Sequence, residues 1–137
     1  MKVALFGSGQ IAWIHGRQIV KQRDVSLVGI ADTDLARAGK LARALGVESV
    51  YQDGARMIDE QRPDIVHVLT PPFTHADVAT LAMSRGCHVL TGVDVFVRQA
   101  ALQFELFTGQ QAPLELMRRV VKHALSPVSL RDEDERS

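Results

Sequence analysis

The apolar positions of this chain fall into short blocks with alternating rhythms. Residues 3–6 are apolar and meet Gly7-Ser8-Gly9 at once, the pattern of a buried strand feeding a tight turn. From Gln10 the spacing changes, and Ile11, Ile14, Ile19 and Val20 predict one face of a helix running to about Lys21. Residues 26–31 predict a second strand ending at Asp32. Leu35, Ala38, Leu41, Ala42 and Leu45 then recur at three-to-four spacing, in a helix that Asp32, Thr33 or Asp34 can cap and Gly46 can close. A short third strand over 49–51, a brief helix over 55–60 and a fourth strand over 64–69 follow. Pro71 and Pro72 lack the N–H that a central ladder requires, so the chain leaves the sheet there. A helix over 74–85 ends at Gly86, and 87–90 is a fifth strand.

Strands that alternate with helices and are apolar throughout predict a parallel sheet covered on both faces. Right-handed crossovers then give a doubly wound, Rossmann-like α/β fold with strand order 3-2-1-4-5 and extra C-terminal helices. The pattern places the core in residues 1–90, a mainly helical extension in 91–127 and a charged tail in 128–137. Beyond Leu90 the periodicity leaves two readings open. Phe96, Ala100, Phe104 and Phe107 fit a helical face, whereas Val93, Val95 and Val97 alternate like a strand. Residues 108–113 read as a loop, and Leu114, Met117, Val121 and Leu125 as an amphipathic helix stopped near Ser126-Pro127.

Composition narrows the class without changing the fold. With 137 residues, 46% of them hydrophobic, the chain fits one soluble α/β domain. Sixteen basic and sixteen acidic residues cancel, so neither nucleic acid nor an anionic membrane is expected as a partner. The single Cys87 excludes an internal disulfide and suits a reducing compartment. The start of the chain has no long apolar segment of the signal-peptide kind, and no apolar run approaches the roughly 20 residues of a membrane span, so a cytoplasmic location is expected.

The chemistry begins at Gly7-x-Gly9-x-x-Ala12, a pattern that follows a strand and opens a helix. Gly7 permits the turn, Gly9 lets backbone approach a pyrophosphate, and Ala12 is small enough for close helix–strand packing. The unpaired N–H groups of the helix that begins at Gln10 would then face the phosphates. Asp32, twenty positions after Ala12 at the end of the second strand, suits an adenine ribose and would repel a 2′-phosphate, which favours NAD over NADP. Capping the next helix would also explain Asp32. Arg37, a turn later, either softens that discrimination or lies on a solvated helix face.

These residues, with those after the fourth strand, resemble the glucose–fructose oxidoreductase / inositol dehydrogenase family (Gfo/Idh/MocA). The matching features are KVALFGSGQIAWIH with His15 in the first helix, GIAD ending at Asp32, and DIVHVLTPPFTHADVA with Gly86-x-His88-Val89 a helix later. The resemblance spans about residues 1–90. It implies that Ser8, Gln10 and Ile11 lie against the pyrophosphate and Asp32 against the adenine ribose, with Thr70, Pro71 and His75 lining the cofactor groove. In the family the fifth strand runs into Glu-Lys-Pro, whose lysine stands beside the nicotinamide and the reacting hydroxyl. Here that position is Val93, which can neither donate a proton nor polarise an oxygen. The mainly β-sheet substrate domain of the family has no counterpart in the sequence.

Other candidates carry less. His67 lies inside a strand as a core residue, and His15 either packs near the cofactor edge or sits exposed on its helix. Cys87 and His88 are adjacent in a strand and point to opposite faces, so no metal site is expected. Asp94 is read as a helix cap or turn residue, and His123 as a polar-face residue. The apolar segment 93–107 points to a homodimer or partner-chain interface. Three functions remain open: a dinucleotide-binding module with no catalytic residue of its own, a sugar or polyol dehydrogenase completed by another chain, and an association protein that leaves the groove unused.

Overall fold

The computed structural model describes residues 1–70 and 75–124. The elements in chain order are β1 (Lys2–Phe6), α1 (Gln10–Ile19), β2 (Ser26–Ala31), α2 (Leu35–Leu45), β3 (Val50–Tyr51), α3 (Gly54–Gln61), β4 (Ile65–Val68), α4 (His75–Ser84), β5 (His88–Thr91), α5 (Gly92–Thr108) and α6 (Leu114–Ala124). The strands form one five-stranded sheet in the order β3-β2-β1-β4-β5. Pairing along β1 is parallel on both sides, with Leu5 opposite Ile30 on β2 and His67 on β4. The chain divides into two compact units, Met1–Leu90 and the part from Thr91 onward.

Period-two alternation sorts the side chains of the first unit onto two cores. Leu5 and Ile30 point to one face and are buried with Ala12, Ala38, Leu41 and Ala42 of α1 and α2. Ala4 and Ala31 point to the other face, where Met57 of α3 covers them. Val66 and Val68 share that second side with Ile58, Ala82 and Cys87. Burying each of these large aliphatic side chains contributes about 1.5–3 kcal/mol relative to leaving it in water.

The buried face of α1 differs from the sequence expectation. Ile11 and Ile14 are about half exposed and Val20 is exposed as well, while Ala12 and Gly16 are the buried positions. A first helix that lies close to β1 needs its smallest residues inward. A Cβ on Gly16 would run into the side chain of Leu45. Close approach therefore overrides the larger apolar stripe.

The helix ends follow local chemistry. Asp34 caps α2 by accepting from Arg37 N, and Gly46 closes it in the left-handed region at φ 70°. Asp53 caps α3 in the same manner. In the second unit, residues 93–97 are helical, and the strand-like alternation of Val93, Val95 and Val97 is incidental. A capping box decides it: Thr91 Oγ1 accepts from Asp94 N while the Asp94 carboxylate accepts from Thr91 N at 3.1 Å. Val97 and Ala101 are buried, whereas Leu102, Leu106 and Phe107 face outward. Arg118 of α6 pairs with Asp94 at 3.5 Å and with Glu115, and Ala112 N donates to Glu105 Oε1. Removing the cap by Thr91→Ala should cost about 1 kcal/mol. Urea unfolding of the intact chain followed by circular dichroism measures it, and an unchanged midpoint would show that the box contributes nothing.

Candidate functional site

Three strand ends converge on one groove. β1 delivers Gly7, Ser8 and Gly9, β2 delivers Asp32, and β4 delivers Leu69 and Thr70. Together with Arg37 these residues line a groove of about 470 Å³. Gly7 has φ +104°, and a Cβ there would lie 2.9 Å from Thr70 Cγ2 and 3.1 Å from the Leu69 carbonyl carbon, so only glycine fits. A Cβ on Gly9 would meet nothing within 4 Å, so what glycine provides at that position is open approach to the backbone.

Gly9 is also the N-cap of α1, with no side-chain cap bond and no acidic residue in the first turn. The leading N–H groups of α1, at Gln10 and Ile11, have no partner inside the helix. That end carries the positive pole of the helix dipole and is open to an anion. Gln10 and Ile11 are exposed, and Ala12 is fully buried beneath the turn.

The Asp32 carboxylate, 5% exposed, is the electrostatic centre of the groove. Its Oδ2 accepts from Ser8 N at 2.8 Å and Ser8 Oγ at 2.6 Å, and its Oδ1 accepts from Asp34 N at 2.9 Å. Arg37 Nη2 lies 3.2 Å from both oxygens. Burial pushes this carboxyl upward, but hydrogen bonds from the Ser8 hydroxyl, the Asp34 and Ser8 amides and Arg37 together hold it below the ordinary carboxylate value. Asp32 is thus ionised at neutral pH. It does not serve as the cap of α2, which falls to Asp34.

Ser8 turns its donors inward to Asp32 rather than toward the groove. Thr70 Oγ1 is buried and has no hydrogen-bond partner among the described residues. Of the remaining residues expected here, His75 is the first residue of α4 and Pro71 lies outside the described residues. Arg37 was left open by sequence reasoning, and its place on Asp32 could have been read from its offset of one helical turn beyond the Asp34 cap.

A family model for oxidoreductases with an NAD-binding Rossmann fold matches residues 1–92. The chain belongs to the Gfo/Idh/MocA oxidoreductase family. D-glucoside 3-dehydrogenase of Escherichia coli is 34% identical over 91 residues, covering 66% of this chain and 26% of that enzyme. The crystal structure of myo-inositol 2-dehydrogenase from Lactobacillus plantarum superposes with a TM-score of 0.62 at 27% identity, over 66% of this chain and 27% of the other. The chain spans about a quarter of the length of these relatives. Residues 92–122 match a second model, the C-terminal domain of shikimate 5′-dehydrogenase. Shikimate dehydrogenase (NADP(+)) of Moorella thermoacetica is 42% identical over 48 residues, 35% of this chain and 16% of that enzyme. The extension after Leu90, expected to be atypical, thus resembles a different dehydrogenase. No helix among the described residues is long and apolar enough to cross a membrane.

This Gfo/Idh/MocA chain also carries a histidine pair that spacing alone did not reveal. His67 points to the α1 face of the sheet, as its register partner Leu5 does, and meets His15 of α1 with Nδ1 and Nε2 3.3 Å apart. The ring centroids are 4.8 Å apart. Burial, with the nearby His15 charge adding to it, pushes His67 down to about 4, and burial lowers His15 too. The native state holds both rings neutral at pH 7. Unfolding releases His67 to its ordinary value of 6.5, so the unfolded chain binds more protons between pH 6.5 and about 4. Stability should therefore fall as pH drops through that window. Urea midpoints taken from pH 7 to 4 test this, and His67→Gln should flatten the decline; an identical slope in the variant would assign it to other groups.

Proposed function

We propose that this chain is the dinucleotide-holding module of a Gfo/Idh/MocA dehydrogenase, binding NAD and lacking hydride-transfer residues of its own. One observation carries the reading: the uncapped α1 terminus, the Cβ-free turn, the buried Asp32 carboxylate and the unpartnered Thr70 hydroxyl all meet in a single groove. The residues present fit the cofactor. Backbone N–H groups at Gly9, Gln10 and Ile11 would hold the pyrophosphate, with Ala12 allowing α1 to lie close beneath it. Asp32 would accept from the ribose hydroxyls, Ser8 would hold that carboxylate in position, and Thr70, Pro71 and His75 would line the cofactor groove. Bound NAD supplies a hydride acceptor. The chain supplies no acid or base at the position where the family carries lysine, because Val93 stands in the first turn of α5.

Titration calorimetry of the intact chain tests the module. Saturable NAD binding is expected, and no heat at millimolar NAD would overturn the reading in favour of a protein that keeps the fold without using the groove. Asp32→Ala should weaken NAD more than NADP, by about 1–3 kcal/mol, as charged hydrogen bonds to the ribose are lost. Equal loss for both cofactors would make Asp32 purely structural. No NADH should form when the chain alone meets NAD with inositol or a glucoside.

The match of residues 92–122 to shikimate dehydrogenase supports a second reading. In it the chain becomes a working dehydrogenase when another chain or a second copy supplies the remaining substrate contacts, docking on the exposed Leu102, Leu106 and Phe107 of α5. Turnover of a hydroxylated ring acid such as shikimate, together with self-association that Leu106→Glu abolishes, would establish this reading against the first.

A further inference from the structure

The second unit carries an apolar stripe that its own packing leaves uncovered. Val97 and Ala101 are the buried positions of α5. On the opposite side of the same helix, Val95, Gln99, Leu102 and Leu106 follow one another at steps of four, three and four. That is the heptad rhythm of a seam between two helices. Leu102 is 68% exposed and Leu106 81%, so the two leucines of the stripe stand in water. The rhythm also sorts the flanks. Arg98 and Glu105 each come one position before a seam residue, and Phe96 and Gln103 each one position after. Among the described residues Arg98 forms no ion pair, and the Glu105 carboxylate uses only Oε1, on Ala112 N.

We propose that α5 is a self-association helix, which pairs antiparallel with α5 of a second copy about a two-fold axis. This rests on the second reading above and gives its docking surface a partner and a geometry. Charge complementarity selects the copy and its direction. In an antiparallel pair Val95 meets the partner's Leu106, and Gln99 meets the partner's Leu102. Arg98 then falls beside the partner's Glu105, and the two-fold axis repeats that ion pair on the other side. A parallel pair would set Arg98 against the partner's Gln103, where no charge answers it. The middle of the stripe coincides with the middle of Gly92–Thr108, so antiparallel helices overlap along their full length. Opposite ends of the two helix dipoles then lie side by side. Gln99 is the polar member of the seam, a device that fixes register at a cost in stability. The Thr91–Asp94 box and the left-handed Gly109 cap form the helix before any partner arrives, so association does not have to fold it. Four seam positions make a short interface, and the dimer is therefore weak and concentration-dependent.

The test is sedimentation velocity of the intact chain over a concentration series, with circular dichroism reporting helix content. The parent chain shows a monomer–dimer equilibrium. Leu106→Glu abolishes the dimer at unchanged helix content, and Gln99→Leu tightens it. Arg98→Glu weakens it by roughly tenfold, because two attractive pairs become two repulsive ones. Glu105→Arg alone weakens it in the same way. Mixing the Arg98→Glu chain with the Glu105→Arg chain restores a heterodimer, since both flanking pairs are then of opposite charge. Glu105→Arg also loses the bond to Ala112 N; should its helix content fall, Glu105→Gln mixed with the parent isolates the charge. A parent chain that is monomeric at every concentration overturns the proposal. So does a dimer indifferent to Leu106→Glu, or one that the charge-reversed mixture fails to restore. A monomeric parent whose urea midpoint drops with Leu106→Glu would place the stripe against its own chain instead. None of these measurements needs cofactor or substrate, so failure to turn over a ring acid would leave the association standing.

Discussion

The first unit depends on how the chain turns at the end of β1. Gly7 takes a positive φ that an L side chain rarely adopts, at a point where a Cβ would collide with Thr70. That turn aims Ser8 N and Oγ at Asp32, tying the ends of β1 and β2 together through a buried carboxylate. The same turn starts α1 at Gly9 without a side-chain cap. One local constraint thus creates an anion-friendly helix end, a held negative charge and the floor between them. A buried charge is tolerated only when its hydrogen bonds are satisfied, and here the fold supplies the donors before any ligand does.

Packing around this turn explains the less obvious features. α1 must lie close to the sheet for its end to reach the strand tips, so Ala12 and Gly16 are inward and the isoleucines outward. The same face has to accommodate His67, brought there by the alternation of β4 beside Leu5. Contact with His15 gives its ring nitrogen a partner, which lowers the cost of burying a polar ring. The ring is carried neutral, and that is why the cost rises with acidity.

The second unit follows local rather than sheet-level rules. The two family matches meet at residue 92, where β5 ends and α5 begins. A capping box is a self-contained device: Thr91 and Asp94 satisfy each other's backbone and start a helix irrespective of what precedes them. A strand-to-helix boundary of this kind can join segments that resemble different dehydrogenases without breaking either periodicity. Val93 stands in the first turn of that helix.

Much of the fold was legible in the sequence because its signals are short-range. Apolar strands, alternating periods, Gly46 and Gly86 as helix ends, and the glycine turn each depend on residues near one another, and strand order followed from handedness. Segment 93–97 stayed ambiguous because valine spacing fits two periods, although the Thr91–Asp94 pair already held the answer. What local pattern could not supply is which partner each polar group finds across the sheet. Ser8, expected to face a phosphate, turns to Asp32; Arg37, left open, lies over the same carboxylate; His15 and His67, 52 positions apart, share one contact. The sequence by itself determined the architecture and the residue types gathered at the strand ends, since backbone geometry and hydrophobic period dictate them. Only the tertiary structure decided which hydrogen bonds Asp32 makes, because that depends on distances that only the folded chain sets.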